Sequence, residues 1–241
     1  LSVLPAVELA NDIATELGLA AGATEAMLDE ARATLLEARR QRVHPGRDEK
    51  ILTAWNGLAI AGLARASRAL DRDDLAAAAL RAARFLRQQC WREGRLLAVH
   101  TAGESRFPAY LDDHALIAWG LLELLEARWD ADMFGWAVEL AEAMLAHFAD
   151  PDGGFYFTAD DHEALILRPK TYSDDATPAG NGVAVRVLVR LGYLLGETRY
   201  IDAAAATLRS AWAAMERYPH GHGTLLMALE EFLAPPTILV L

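Results

Sequence analysis

The stretch ILTAWNGLAIAGLARASRAL, residues 51–70, carries only Arg65 and Arg68 as charged side chains and is apolar nearly all round. A helix with that pattern belongs inside a shell of other helices, since a surface helix needs only one apolar stripe. On its N-terminal side, about residues 23–42 repeat Met27, Ala31, Leu35 and Ala38 among eight charged residues, the pattern of an outer helix with one buried stripe. On its C-terminal side, about residues 73–91 are again amphipathic, with Leu75, Ala79, Ala82, Leu86 and Cys90 on one face. The nine residues His114 to Leu122 then contain no formal charge, which predicts a second inner helix over about residues 112–126.

The alternation continues with an amphipathic helix over about 131–148, an apolar one over about 178–195, a charged-face one over about 198–216 and a last apolar one over about 223–233. Inner helices are therefore expected to begin near residues 51, 111, 178 and 222, at an irregular spacing of roughly 45 to 65 residues, a structural repeat more than a sequence repeat. Hairpins of one outer and one inner helix, packed side by side, bury each apolar helix on all sides. The fold class this predicts is all-α, an incomplete (α/α) toroid of helical hairpins; an open solenoid or plain bundle is the simpler alternative. Two long connections, residues 93–110 and 151–177, contain Gly94, Gly103, Gly153, Gly154 and alternating segments at Leu96–Val99 and Phe155–Phe157, which read as short β-hairpins. Each leads directly into an inner helix.

Composition narrows the function. With 53% hydrophobic and 24% charged residues the 241-residue chain reads as a soluble globular protein. Its net charge of −11 disfavours a nucleic-acid ligand, and the basic stretch Arg39, Arg40, Arg42 and Arg47 reads as the end of a helix. Cys90 is the only cysteine, so neither a disulfide framework nor a thiolate zinc site can form within the chain, and a reducing, cytoplasmic setting fits. No membrane span or signal peptide is expected, and neither is a metal or a cofactor. The start at Leu1 and the strand-like ending Thr237–Leu241 read as a piece of a longer protein, with the toroid over residues 1–234 and a further segment starting at 235.

Polar residues gather where inner helices begin. They are Asp48 and Lys50 with Trp55 and Asn56, then Tyr110 with Asp112, Asp113 and His114, then Asp174 and Asp175 with Asn181, and last His220 and His222. Parallel inner helices would bring these to one mouth, where carboxylates, amides, imidazoles and rings are the equipment for holding sugar hydroxyls and stacking on a pyranose. Each has a structural alternative. One of Asp112 and Asp113 is expected to cap its helix. Asn56 reads first as a structural hydrogen bond. Arg168 and Lys170 follow a hairpin strand and either reach a ligand or, for Arg168, pair with Asp174 or Asp175. The His220-Gly221-His222 spacing is poor for a metal, and Asp150 to Gly154 lacks most of a calcium loop's ligands.

Taken in order, Arg42, Asp48–Leu58, Leu111–Ala115, Gly153–Phe157, Arg168–Lys170 and Asp175–Asn181 resemble the C-terminal portion of the YyaL-type thioredoxin-domain-containing family. The resemblance implies a six-hairpin α/α toroid, similar to N-acylglucosamine 2-epimerases and many glycosidases, placed after a thioredoxin-like domain; the first toroid helices would then lie upstream. Ala179 stands where the family often has Ser, which excludes a serine nucleophile there. Glu49 replaces a common Asp, and His114 a common Tyr. Two chemistries follow as expectations. Epimerisation needs two bases, for which His114 with His220 or His222 is the choice. Hydrolysis needs two carboxylates, one of Asp112 and Asp113 with one of Asp174 and Asp175. The alternative is a scaffold domain serving the upstream thioredoxin-like domain, with the same polar groups satisfied among themselves.

Overall fold

The computed structural model describes residue 12, residues 14–163 and residues 165–234. These divide into two compact units, residues 1–48 and residues 49–241. The strand-like ending expected at Thr237–Leu241 lies outside the described residues.

The first unit contains α1, Ala21–Arg40, with Arg39 and Arg40 in its last turn as the sequence predicts. Its expected buried stripe is not buried: Met27 is 59% and Leu35 70% exposed. Ala, Glu, Leu and Arg are strong helix formers, so the helix needs no covered face to form. The i,i+3 pairs Arg32–Asp29 and Arg40–Glu37 lie on its exposed surface and add little.

In the second unit the predicted alternation is realised. In chain order it consists of β1 Ile51–Leu52, α2 Thr53–Leu70, α3 Asp73–Cys90, β2 Trp91–Arg92, β3 Arg95–Thr101, β4 Glu104–Pro108, α4 Leu111–Ala127, α5 Ala131–His147, α6 Gly180–Leu195, α7 Thr198–Arg217 and α8 Gly223–Leu233. The inner helices pack in series, α2 on α4, α4 on α6 and α6 on α8, while α3, α5 and α7 lie against them as the outer layer. This is an (α/α) toroid arc. Helices α4 and α6 are buried on every side over residues 113–118 and 180–189. Helices α2 and α8 each have an inner neighbour on one side, so Trp55, Ala59 and Gly62 of α2 and Met227 and Glu230 of α8 stay exposed.

Close helix approach depends on two glycines. A Cβ on Gly57 would stand 2.5 Å from Leu116 C and 2.7 Å from Ile117 N, and one on Gly120 2.6 Å from Gly57 O. Between the layers lie fully buried Trp136, Tyr200, Phe148 and Phe155. Helix ends follow local rules: Asp71 and Gly196 take left-handed conformations at the C-caps of α2 and α6, and the Asp130 carboxylate accepts the Met133 N–H at the start of α5.

The first long connection forms the predicted hairpin. β3 pairs antiparallel with β4, β2 and β1, in register Leu97↔Pro108 and Ile51↔His100, with Gly94 and Gly103 at positive φ in the turns. Thr53 Oγ1 donates to Leu97 O at 2.7 Å, which ties the start of α2 to this sheet. The second connection does not form a hairpin. Among described residues it has one isolated bridge, Ala149↔Phe155. Its backbone groups go elsewhere: Phe155 N–H and C=O to Asn181, Tyr156 N–H to Phe148 O and Phe157 N–H to Pro169 O.

Candidate functional site

The inner helices run parallel, and carboxylates stitch their starts together. Helices α2, α6 and α8 have no side-chain cap of their own, and each takes one from a neighbour. Asp113 accepts the N–H of Tyr110 at the head of its own helix through Oδ2 and that of Ala54 on α2 through Oδ1, both at 2.9 Å. Asp112 turns the other way, its carboxyl lying against Gly180 at the start of α6. A Cβ at Gly180 would collide with that carboxylate. Asp174 repeats the device, accepting Ala179 N–H at 2.9 Å and Thr224 N–H on α8 at 2.8 Å. Each free N-terminus thus meets an anion at the positive end of its dipole. The adjacent Asp112 and Asp113 face different neighbours, Gly180 of α6 and Ala54 of α2.

The other residues singled out from sequence are placed as follows. Trp55 is 62% exposed on α2, and Asn56 donates to Leu52 O at 2.8 Å within its own first turn. Tyr110 stacks on Phe157 at 4.6 Å. His114 turns to the outer layer, its ring 5.0 Å from that of Phe148 and its Nδ1–H donating to Tyr110 O at 2.8 Å. His222 at the start of α8 is buried and does the same to Tyr218 O at 2.7 Å, while His220 is exposed beside Tyr218. Asp175 is exposed. Asn181, 1% exposed, bonds both backbone groups of Phe155 and Thr171 O, fixing the second long loop on α6. Lys170 donates to Asp150 at 2.6 Å and to Gly153 O, and this bond holds Asp150 down at about 2. Arg168 does not pair with Asp174 or Asp175; its guanidinium donates to the carbonyls of Thr158 and His147 and lies over the Tyr156 ring. Asp48 and Lys50 sit in the exposed stretch before β1, each engaged with a partner.

Burial raises the Asp112 carboxyl above its ordinary range, against the Gly180 hydrogen bond, and its side chain stays half-buried. Burial pushes Asp113 up to about 6 from 3.8, against its two backbone bonds, and pushes His114 down to about 4 from 6.5. The two titrate in opposition. Between 3.8 and about 6 the folded chain keeps a proton on Asp113 that the unfolded chain has released, so this group withdraws stability as pH rises. Between about 4 and 6.5 the unfolded chain carries a proton that His114 refuses, so this group adds stability as pH rises. Each contribution is about 3 kcal/mol, and they nearly cancel. Asp113→Asn is expected to unmask the histidine. Relative to wild type, its urea-unfolding free energy should climb by about 3 kcal/mol from pH 4 to pH 6; a difference curve flat across that range would refute the buried, protonating carboxyl.

A second polar group, which sequence reading passed over, spans the C-terminal halves of the inner helices. Glu123, 1% exposed on α4, accepts from Arg68 of α2 at 2.8 Å, Arg190 of α6 at 2.9 Å and Trp119 at 3.2 Å, with Arg65 at 3.6 Å. Arg186 pairs with Glu231 of α8 at 2.6 Å and lies over the Trp119 ring. Burial pushes the Glu123 carboxyl up, but Arg190, Arg65 and Arg68 outweigh it and hold it below the usual range. The signal was present: Arg65 and Arg68, Glu123 and Glu126, and Arg186 and Arg190 are charges three or four apart on otherwise apolar helices.

No protein-family model matches the chain. It is similar to spermatogenesis-associated protein 20 of Mus musculus, 33% identical over 218 residues, and to that of Homo sapiens, 31% over 228 residues, covering 86% and 90% of this chain. The chain spans 28% and 29% of the length of these curated relatives. Among solved structures, a GH76 α-mannanase of Bacteroides thetaiotaomicron matches with a TM-score of 0.57 at 16% identity, over 71% of this chain and 47% of that one. Cellobiose 2-epimerase of Spirochaeta thermophila matches at 0.55 and 17%, over 69% and 44%. The unsaturated glucuronyl hydrolase of Bacillus sp. GL1 also matches at 0.55 and 17%, over 70% and 49%. At these identities the likeness establishes the α/α-toroid fold. No helix among the described residues is long and apolar enough to cross a membrane.

Proposed function

We propose that this chain is the α/α-toroid portion of a longer thioredoxin-domain-containing protein akin to spermatogenesis-associated protein 20, and that the end where its inner helices start binds a sugar-like molecule. The reading is supported by Asp112 at the start of α4, half-buried with its carboxyl raised by burial, by exposed Trp55 in the first turn of α2 and by exposed Asp175 in the segment leading to α6. A carboxyl raised by burial can serve as a general acid, a second carboxyl as its partner, and an indole offers a stacking face. This favours the hydrolase-like chemistry over the two-histidine epimerase, because the His114 ring is packed into the outer layer. The sugar enzymes among the fold neighbours are consistent with the choice by analogy alone.

One observation favours a scaffold instead: Asp113, Asp174, Asn181, Lys170 and Arg168 are all bonded within the protein. A thermal-shift screen of the full-length protein against a sugar panel separates the two. A sugar present at ten times its Kd should raise Tm by about 3–6 °C, and Asp112→Asn should abolish turnover of that sugar. If no sugar shifts Tm, and Asp112→Asn and Asn181→Ala leave cellular function intact, the scaffold reading stands in its place.

A further inference from the structure

We infer that the groove between α7 and α8 seats a further outer helix, an amphipathic one with an acidic residue at its start, supplied by a part of the same polypeptide outside residues 1–241. The inference rests on the reading of this chain as a portion of a longer protein and is independent of the sugar reading. The groove is a cavity of about 370 Å³ lined by Leu208, Arg209, Trp212, Leu229, Phe232 and Leu233. Leu208 is buried, while Trp212 and Leu233 are 53% and 71% exposed. Contiguous apolar surface of this kind marks a place where something packs.

What packs there follows from the repeat. Inner helix α4 lies between outer helices α3 and α5, and α6 between α5 and α7, whereas among the described residues α8 packs against α7 alone of the outer layer. Charges mark each outer seam at one height. Arg84, Glu142 and Arg209 are each the twelfth residue of their helices, counted from Asp73, Ala131 and Thr198. The first pairs with Asp130, the N-cap of α5, at 2.8 Å, and the second with Arg199 in the first turn of α7 at 2.6 Å. Arg209 is the third of the series, exposed on the groove, and no ion pair engages it among the described residues. The place the series assigns to its partner is the start of a next outer helix, where an acid is also favoured by the helix dipole. A second copy fits worse: meeting symmetrically, it would set groove against groove and Arg209 near its own counterpart.

The mass of the natural protein is measured first; a chain confined to residues 1–241 would remove the reading as a portion and the inference with it. In the longer protein, hydroxyl radicals should oxidise Trp212 about fivefold or more slowly than Trp129, which is 65% exposed, because a packed interface leaves little area open. Equal rates overturn the inference and leave the longer protein in place. Photocrosslinking from p-benzoylphenylalanine in place of Leu233 identifies the occupant. The product should keep the mass of one chain and join residue 233 to a helix outside residues 1–241 with Asp or Glu in its first turn. No product, a product heavier than one chain, or a link within residues 1–241 overturns the inference. If the variant fails to fold, the oxidation rates of the wild type decide.

Discussion

Gly57→Ala is expected to destabilise the protein by about 3 kcal/mol, at the upper end of the usual cost of overpacking. For a chain of this size that is a fall in Tm of about 6–12 °C. On a free helix the same change would be favourable by about 1 kcal/mol, because alanine is the better helix former. Packing reverses the sign. The new methyl would lie 2.5–2.7 Å from backbone atoms of Leu116 and Ile117, and backbone in a helix buried on all sides cannot step aside as a side chain can. Gly62 lies on the same helix with open space where its Cβ would go, so Gly62→Ala should stabilise by several tenths of a kcal/mol up to about 1. Opposite signs at two glycines five residues apart would be diagnostic of the α2–α4 contact. Equal, small effects would mean that the two helices are not in close contact. Gly120 faces the carbonyl of Gly57, so the double substitution should cost less than the sum of the single ones, since one separation of the helices relieves both collisions.

Most of the architecture was legible because it rests on patterns local to each segment. The starts expected near residues 51, 111, 178 and 222 fall at Thr53, Leu111, Gly180 and Gly223. Enclosure of α4 and α6 could be read from their missing charges. The exposure of α1 could not, since an amphipathic stripe records what a helix is able to bury and not what covers it. The Phe155–Phe157 segment was misread as a strand for a similar reason: its alternation is genuine, but Asn181, far along the chain, captures the backbone groups that a partner strand would have used. In the candidate site, the acids expected at the starts of the inner helices, Asp112, Asp113 and Asp174, do lie there. Sequence left open whether Asp112 or Asp113 was the cap. The answer depends on helix neighbours, with α2 behind and α6 ahead, and no window of sequence contains both.

Glu123→Gln should cost about 2 kcal/mol, below the roughly 3–5 kcal/mol for stranding a buried charge because Arg68 and Arg190 keep Glu126 and Glu231 as partners. Glutamine keeps the length and an oxygen for Trp119, so the loss isolates the charge. Arg190 and Arg68, 18% and 35% exposed at the side chain, would each lose their buried partner and keep only the outer ones, Glu126 for both and Glu231 at 3.6 Å for Arg190; Arg65, at 57% and 3.6 Å, adds little because water screens it. Glu139→Gln is the control, breaking the exposed pair with Arg87 at a cost of about 0–1 kcal/mol that vanishes in high salt. The Glu123 penalty should persist there. If the two variants lose equally little, the network is ornamental and the apolar contacts alone hold the inner helices in register. The alternating signs argue otherwise: arginines on α2, glutamates on α4, arginines on α6 and a glutamate on α8 make each helix attract its neighbours at one height. Asp112 lies on the same helix, eleven residues and about 16 Å toward the mouth. A slip of α4 against α6 at Glu123 would therefore shift Asp112 against Gly180. Glu123→Gln should accordingly weaken any ligand held at the mouth without touching it, and a variant that loses stability while binding at full strength would show the two ends of the inner helices to be independent.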